Sequence, residues 1–271
     1  MTNLTPAELQ QFLNVATAAA NEGGTILRKY WGKLSSVREK KFHWDLVTEA
    51  DQESEQVILE ILSKHFPSHV ILAEETGLSS QIQNDFVWAV DPLDGTTNYT
   101  HQFPMVSVSI GLLFKGTPVV GVVFNPIFNE MFQGAKGLGA KLNGQPIEVS
   151  KVNTLKSSLL VTGFPYDRED NKDNNYPEFC HLTNIAQGVR RIGSAAIDLA
   201  YVAAGRLDGY WERGLQPWDL AAGVLLIEEA GGKVSSYDLS PFDVYAGRTL
   251  ATNGNIHEQL SQELIKARNK P

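Results

Sequence analysis

The stretch Asp91-Pro92-Leu93-Asp94-Gly95-Thr96-Thr97-Asn98, in letters DPLDGTTN, follows directly on the apolar run FVWAV. The apolar run reads as a buried strand, and an acid at its carboxyl end stands at a rim where layered α/β folds bind ligands. A second acid three residues later can turn back towards the same point. Gly95 lets backbone come close to a ligand, and Thr96, Thr97 and Asn98 can start a short helix whose free N–H groups face an anion. Acids for a cation thus sit beside amides for an anion. A common Asp-Gly turn with a capping threonine explains the stretch alone equally well, so more acids are needed.

Outward from this point the chain alternates helix and strand signals. Thr5-Pro6-Ala7-Glu8 has the form of a capping box with proline at the first helical position, and Phe12, Ala16, Ala19, Gly23, Ile26, Leu27 and Tyr30 recur behind it at helical spacing. Thr48, with Asp51 three residues on, can cap a second helix that carries Val57, Ile58, Ile61 and Leu62 on one face. VILA, VSVSIGL, VVGVVF and EMFQG are strand-like, so residues 1–150 read as two helices followed by mostly antiparallel sheet. In residues 151–271, LLVT, VRRI and LDGYW are separated by helical patterns, which predicts α/β layering. Ser194 caps AAIDLAYVAAG, and Pro217 opens WDLAAGVLLIEEAGG, whose closing glycines stop it. The seam falls around 145–157 with no flexible linker, so the two lobes are expected to form a single compact unit.

Composition narrows the function. Thirty-one Asp and Glu against 23 Lys and Arg give a formal charge of -8, which disfavours attraction to nucleic acid or to an anionic membrane surface. The single cysteine, Cys180, excludes an internal disulfide and a cysteine-built zinc site, and it is expected to be buried and inert. The start MTNLTPAELQQ has no basic and apolar leader pattern, and no run is long enough to span a bilayer, so a cytoplasmic protein is expected. GLGAKL lacks the third glycine of a dinucleotide fingerprint, and neither a Walker lysine loop nor HExxH occurs.

Candidate acids stand at Glu74-Glu75, just after VILA, and at Asp219, in the first turn of the helix that Pro217 opens. Two like charges about 4 Å apart repel by about 4 kcal/mol at an effective dielectric of 20, so a gathering of Glu74, Asp91, Asp94 and Asp219 is costly or protonated without cations. Oxygen-only ligation that leaves some water in place suits Mg2+, with Mn2+ as a substitute, and disfavours zinc. Taken singly, each acid also reads as a solvated turn or a helix-start carboxylate meeting the dipole, and for Asp219 that reading weighs as much as ligation.

Three separated motifs, DLVTEAD with AEE, DPLDGTTNYTHQFP and WDLAAGVLLIEEAGG, resemble the inositol monophosphatase family of magnesium-dependent, lithium-sensitive phosphatases, over nearly the whole length. The resemblance implies an α/β (α+β) fold, a layered αβαβα sandwich, found as a homodimer. By the same resemblance Glu74, Asp91 and the Leu93 carbonyl would hold a first metal, and Asp91, Asp94 and Asp219 a second. A third, weaker one would lie near Glu74, giving two to three Mg2+ per site. Thr96 and Asp51 match the pair that positions the nucleophilic water, together with Glu74, for an in-line displacement without a phosphoenzyme. The amides of Gly95 and Thr96 would cradle the phosphate. Asp94, Gly193, Ser194, Ala195, Glu212 and Asp219 would contact the substrate, with Glu212 accepting from ring hydroxyls; Lys40 matches a lysine near the metals. The implied reaction is hydrolysis of inositol 1-phosphate to inositol and phosphate.

Gln216 replaces a histidine of the animal members, and GFPY at 163–166 replaces a small polar segment beside the pocket. Both leave the phosphatase chemistry intact and blur the substrate. A related sugar phosphatase acting on fructose 1,6-bisphosphate, a histidinol-phosphate phosphatase, or a non-catalytic binding protein on the same fold are the alternatives. A haloacid-dehalogenase-type phosphatase would instead place D-x-D-G-T near the N-terminus; a nucleic-acid module would need a basic aromatic platform.

Overall fold

The computed structural model describes residues 4–40, 42, 44–79 and 84–268. Helix α1 (Pro6–Tyr30) starts at the Thr5–Glu8 capping box, and β1 (Val37–Glu39) pairs antiparallel with β2 (Leu46–Thr48). Thr48 then caps α2 (Glu49–His65), its hydroxyl accepting from the N–H groups of Ala50 and Asp51. Strands β3 (Val70–Ala73), β4 (Gly77–Leu78) and β5 (Phe86–Asp94) lead to the short helix α3 (Thr96–Thr100). Next come β6 (Ser107–Phe114), β7 (Thr117–Asn125), β8 (Glu130–Ala135), β9 (Gly139–Leu142) and β10 (Gln145–Pro146). The remainder is β11 (Leu159–Thr162), α4 (Tyr176–Thr183), β12 (Gly188–Arg190), α5 (Ala195–Ala203), β13 (Gly209–Arg213), α6 (Pro217–Glu229), β14 (Lys233–Ser235), β15 (Arg248–Thr252) and α7 (His257–Arg268).

Beside the small β1–β2 sheet, two large sheets and three helical layers result. The eight-stranded sheet runs β10-β9-β8-β7-β6-β5-β3-β4 and is antiparallel except for β3 beside β5. Along β5 the side chains alternate, Trp88 and Val90 joining the core under α1 and α2, Val87 and Ala89 joining the core on the opposite face. That second face carries α5 and α6, which are covered in turn by the five-stranded sheet β12-β11-β13-β15-β14, with α4 and α7 packed together outside it. The order of layers is the expected αβαβα.

Glycines bring the middle helices down onto the large sheet. Gly111 and Gly121 are cross-strand partners on β6 and β7; a Cβ on Gly111 would lie 2.5 Å from Ala221 Cβ, and one on Gly121 2.4 Å from the Ala222 carbonyl oxygen. No other residue type lets α6 come this close. Its first turn is pinned as well, because Ser109 Oγ donates to the Trp218 carbonyl at 2.9 Å. Ser109 is the register partner of Asp91, so the packing of α6 carries Asp219 to the end of β5.

Three features depart from the sequence reading. The strand does not end at Asp91: β5 runs on to Asp94 through a register shift against β6, so both acids belong to one bulged strand end. Cys180 is exposed, not buried, because α4 lies in the outermost layer and turns Glu178 and Leu182 inward instead. Helix α4 is the helical segment expected between LLVT and VRRI, but helix α7 and the hairpin β14–β15 were not anticipated. In α7 the buried stripe has only Leu260, Leu264 and Ala267 as apolar members beside His257 and Ser261, a pattern that tertiary packing completes.

Candidate active site

Each of the four acids arrives by a different local route. Parallel pairing of Ala73 with Val90 continues into a bond from the Glu74 N–H to the Val90 carbonyl at 3.1 Å, so Glu74, just past the end of β3, stands beside Asp91 in β5. Asp94 closes the bulge, and Asp219 occupies the N-terminal turn of α6. All four line one cleft of about 380 Å³. Asp91 is buried at its floor, while Asp94 and Asp219 keep partial exposure to the cleft.

Their charges oppose one another. Burial pushes the Asp91 carboxyl well above the usual carboxylate range, and the like charges of Glu74, Asp94 and Asp219 add to it. Asp219 is pushed the same way, by burial and then by Asp94, against the relief given by the Gln216 N–H at 2.7 Å. Asp94 is raised by burial despite bonds from Ser194 Oγ at 2.6 Å and the Ala196 N–H at 2.8 Å. The proximity of the Glu74 and Asp91 carboxyls draws Glu74 down and pushes Asp91 further up. Lys40 Nζ lies 2.8 Å from Glu74 Oε1 and also contacts Glu75. Burial draws the Lys40 ammonium down, and the two glutamates more than reverse this, so it stays charged. One lysine cannot neutralise four acids lining one cleft, and burial still raises Glu74.

The donor set fits hard divalent cations: carboxylate oxygens plus the Leu93 carbonyl, with no sulfur or imidazole among the residues that line the cleft. Among the described residues, no three His, Cys, Asp or Glu groups are drawn together tightly enough to grip one ion as they stand. Donors of the chain hold them instead: the Leu93 N–H on Asp91 Oδ1 at 2.9 Å, Ser194 on Asp94, Gln216 on Asp219 and Lys40 on Glu74.

Beside the acids, Gly95 adopts φ 91° and caps α3, where a Cβ would meet the Met105 carbonyl oxygen at 2.9 Å. Thr96 Oγ1 lies 3.2 Å from Asp51 Oδ1 and 3.1 Å from the Leu93 carbonyl oxygen, which joins the first turn of α3 to that of α2. Asp51 is fully buried; its Oδ2 accepts from the Thr48 N–H and hydroxyl, yet burial still moves its carboxyl up to about 7. Asn98 donates to the Ile192 carbonyl at 3.0 Å and so brings Gly193, Ser194 and Ala195 to the cleft wall.

The far end of the cleft holds further acids. Glu212 is buried on β13, accepts from the Tyr210 hydroxyl at 2.7 Å, and is raised to about 7 by burial. Gly163 leaves room for its carboxylate, since a Cβ there would lie 2.2 Å from Glu212 Oε1 and the side chain would have to shift. Asp198, in the first turn of α5, also lines the cleft and is pushed well up by burial and by Glu212.

Sequence reasoning missed Asp198, because inside AAIDLAYVAAG a lone acid reads as the polar face of a helix. It also missed the contacts between two loops at the mouth. Phe42 stacks on Trp44 at 5.9 Å and on Tyr166 at 6.5 Å; Trp44 Nε1 donates to the Tyr166 carbonyl at 3.2 Å, and the Arg168 guanidinium lies 4.0 Å from the Trp44 ring. Only the run GFPY hinted at this wall. Asn175 was also unmarked: it takes φ 70°, donates to the Gly163 carbonyl at 2.6 Å and accepts from Trp211 Nε1 at 2.7 Å, fixing the segment behind Glu212.

With this arrangement in hand, comparison with known proteins is direct. Residues 8–270 match the inositol monophosphatase family. The chain is 57% identical over 259 residues to the inositol-1-monophosphatase of Synechocystis sp., covering 96% of this chain and 90% of that one. It is 43% identical to the Nus factor SuhB of Pseudomonas aeruginosa, covering 93% and 95%. The solved inositol monophosphatase of Anabaena (Nostoc) sp. PCC 7120 superposes with a TM-score of 0.89 at 56% identity, covering 95% of this chain and 96% of that one. The carboxylates of three remote motifs, gathered on one cleft beside a helix start, and these likenesses lead to the same conclusion: the chain belongs to the inositol monophosphatase family of phosphomonoesterases.

Proposed function

We propose that this chain is a Mg2+-dependent phosphatase that releases phosphate from inositol 1-phosphate. The observation that carries this reading is the convergence of Glu74, Asp91, Asp94 and Asp219 at one cleft beside the N–H groups that open α3. Two to three Mg2+ ions, replaceable by Mn2+, would sit on Glu74, Asp91, the Leu93 carbonyl, Asp94 and Asp219, supplying Lewis-acid charge for an in-line displacement. The chain's residues do the positioning. The N–H groups of Gly95 and Thr96 bind phosphate oxygens, for which a helix start is suited. Thr96 and Asp51, already in contact, orient the attacking water with Glu74, and Asp51 is held where it can accept its proton near neutral pH. Gly193, Ser194 and Ala195 form the facing wall, and Glu212 accepts hydrogen bonds from the hydroxyls of the leaving group.

The same reading takes residues 1–150 and 151–271 as lobes of one unit, since Asp219 belongs to a helix that packs on the first lobe's sheet. It places the protein in the cytoplasm as a homodimer. Its support is the family resemblance and, among the described residues, the lack of any helix long and apolar enough to cross a membrane.

A phosphate-release assay tests the function. Inositol 1-phosphate should be hydrolysed with Mg2+ and not in EDTA, with fructose 1,6-bisphosphate and histidinol phosphate as the competing substrates. Preference for either competitor reassigns the substrate; no release from any ester leaves a binding protein on the same fold. Light scattering checks the dimer.

A further inference from the structure

Helix α2 turns one buried polar face towards the backbone that carries the cleft acids. Asp51, Ser54 and Glu55 stand at i, i+3 and i+4, on one side of the helix. Asp51 Oδ1 meets Thr96 Oγ1, and Ser54 Oγ donates to the Pro92 carbonyl at 3.0 Å, inside the bulge between Asp91 and Asp94. Glu55 Oε2 accepts from the Glu75 N–H at 2.9 Å. Ser54 and Glu55 therefore grip the two segments that deliver Asp91 and Glu74.

Glu74 lies in the three-residue turn between β3 and β4, which Ala73 and Gly77 close as register partners. Its own N–H is held by the Val90 carbonyl, and the next one, that of Glu75, is held by Glu55. The peptide groups on both sides of the Glu74 Cα are thus fixed. As a stabiliser, Glu55 is poorly suited to its place, because it is 2% exposed and its Oε1 is sealed from solvent with no donor among the described residues. It also adds one more acid behind Glu75, whose carboxyl is pushed upward by burial, then by Glu74 and Glu55, against Lys40. An apolar side chain would avoid both costs and forfeit one bond to the main chain. What it could not supply is an acceptor behind the turn.

We propose that Glu55 is a positioning residue for the metal centre: by holding the Glu75 N–H it orients the Glu74 carboxylate for a divalent cation. Glu55 does not line the cleft, so it acts through the turn alone. This role rests on the phosphatase reading above and adds to it a residue outside the ligand set. Groups that orient a metal ligand from behind commonly govern affinity for the ion. Here the reach of the side chain matters, not its charge.

Calorimetric titration of the metal-free full chain with Mg2+ separates reach from charge. E55D keeps the charge and is one methylene short of the Glu75 N–H; its Mg2+ dissociation constant should rise about tenfold. E55Q keeps the reach without the charge and should bind Mg2+ as the wild type does. Loss of affinity in E55Q alone, or equal losses in both variants, overturns the proposal. So does a lower thermal midpoint with unchanged Mg2+ affinity, which makes Glu55 a structural acid only. Should E55D not fold, amide exchange on the wild type decides: by reciprocity, Mg2+ should slow exchange at the Glu75 N–H about tenfold, and an unchanged rate rejects the coupling. A wild type that binds no Mg2+ overturns the phosphatase reading as well; one that binds it, with both variants equal to it, overturns the role of Glu55 alone.

Discussion

The Ser194 hydroxyl donates to Asp94 Oδ2 at 2.6 Å across 100 residues of chain. The same oxygen of Ser194 accepts from the Ile197 N–H as the cap of α5. One side chain therefore starts a helix of the middle layer and steadies an acid at the end of the large sheet. S194A should lower stability by about 1 kcal/mol through the lost cap. It should also cut kcat/KM several-fold, because Asp94 is left less well placed. Thermal melts and steady-state kinetics on the variant check both, and a variant that keeps full activity disconnects Ser194 from the site.

Replacing Asp91 or Asp94 with Asn should reduce hydrolysis by orders of magnitude while the fold survives. In EDTA the thermal midpoint of D91N should match or exceed that of the wild type, since the cost of burying a titratable carboxyl among like charges has gone. The rise in midpoint that Mg2+ gives the wild type should shrink in the variant. A midpoint many degrees lower in EDTA would mean that Asp91 is a structural acid.

Stability without metal should fall as pH rises from about 5.5 to 8. Burial moves Asp51 from its ordinary 3.8 up to about 7, and Glu212 from 4.5 up to about 7. Between those values the folded chain holds protons that the unfolded chain has released. The contribution is thus fully present below the unfolded pKa and is lost as pH rises through about 7. Each such proton gives a slope of about 1.4 kcal/mol per pH unit. Mg2+ held by the acid cluster would displace its protons, so its stabilising effect should grow with pH. Melts across this range, with EDTA and with Mg2+, measure it; stability in EDTA that rises towards pH 8 contradicts the arrangement.

G121A should destabilise by about 1–3 kcal/mol, the cost of overpacking, because the added methyl meets the main-chain oxygen of Ala222 and not a movable side chain. Displacing α6 also displaces Asp219, so the Mg2+ concentration for half-maximal activity should rise as well. Urea unfolding and a Mg2+ titration read the two effects. Wild-type values in both would separate the fit of the helix from the site.

Much of the site is local in the chain. The Thr48–Asp51 capping box, the proline that opens α6 and the glycine that begins α3 are short-range devices, and the structure keeps each where the residues put it. The same holds for the placing of Glu74 at a strand end, because an apolar run closed by acids leaves few other readings. Asp198 was illegible for the converse reason: an acid inside an apolar helix declares its surroundings only when β13 brings Glu212 against it.

The sequence by itself determined which residues stand at strand ends and helix starts, since hydrophobic period, caps and turn glycines act over a few residues. Only the tertiary structure decided that Asp91 and Asp219 meet. That meeting depends on Gly111 and Gly121 admitting α6 to the face of β6 and β7, and on Ser109 holding the Trp218 carbonyl. Contacts between residues so far apart are set by close packing of whole layers, which no local periodicity encodes.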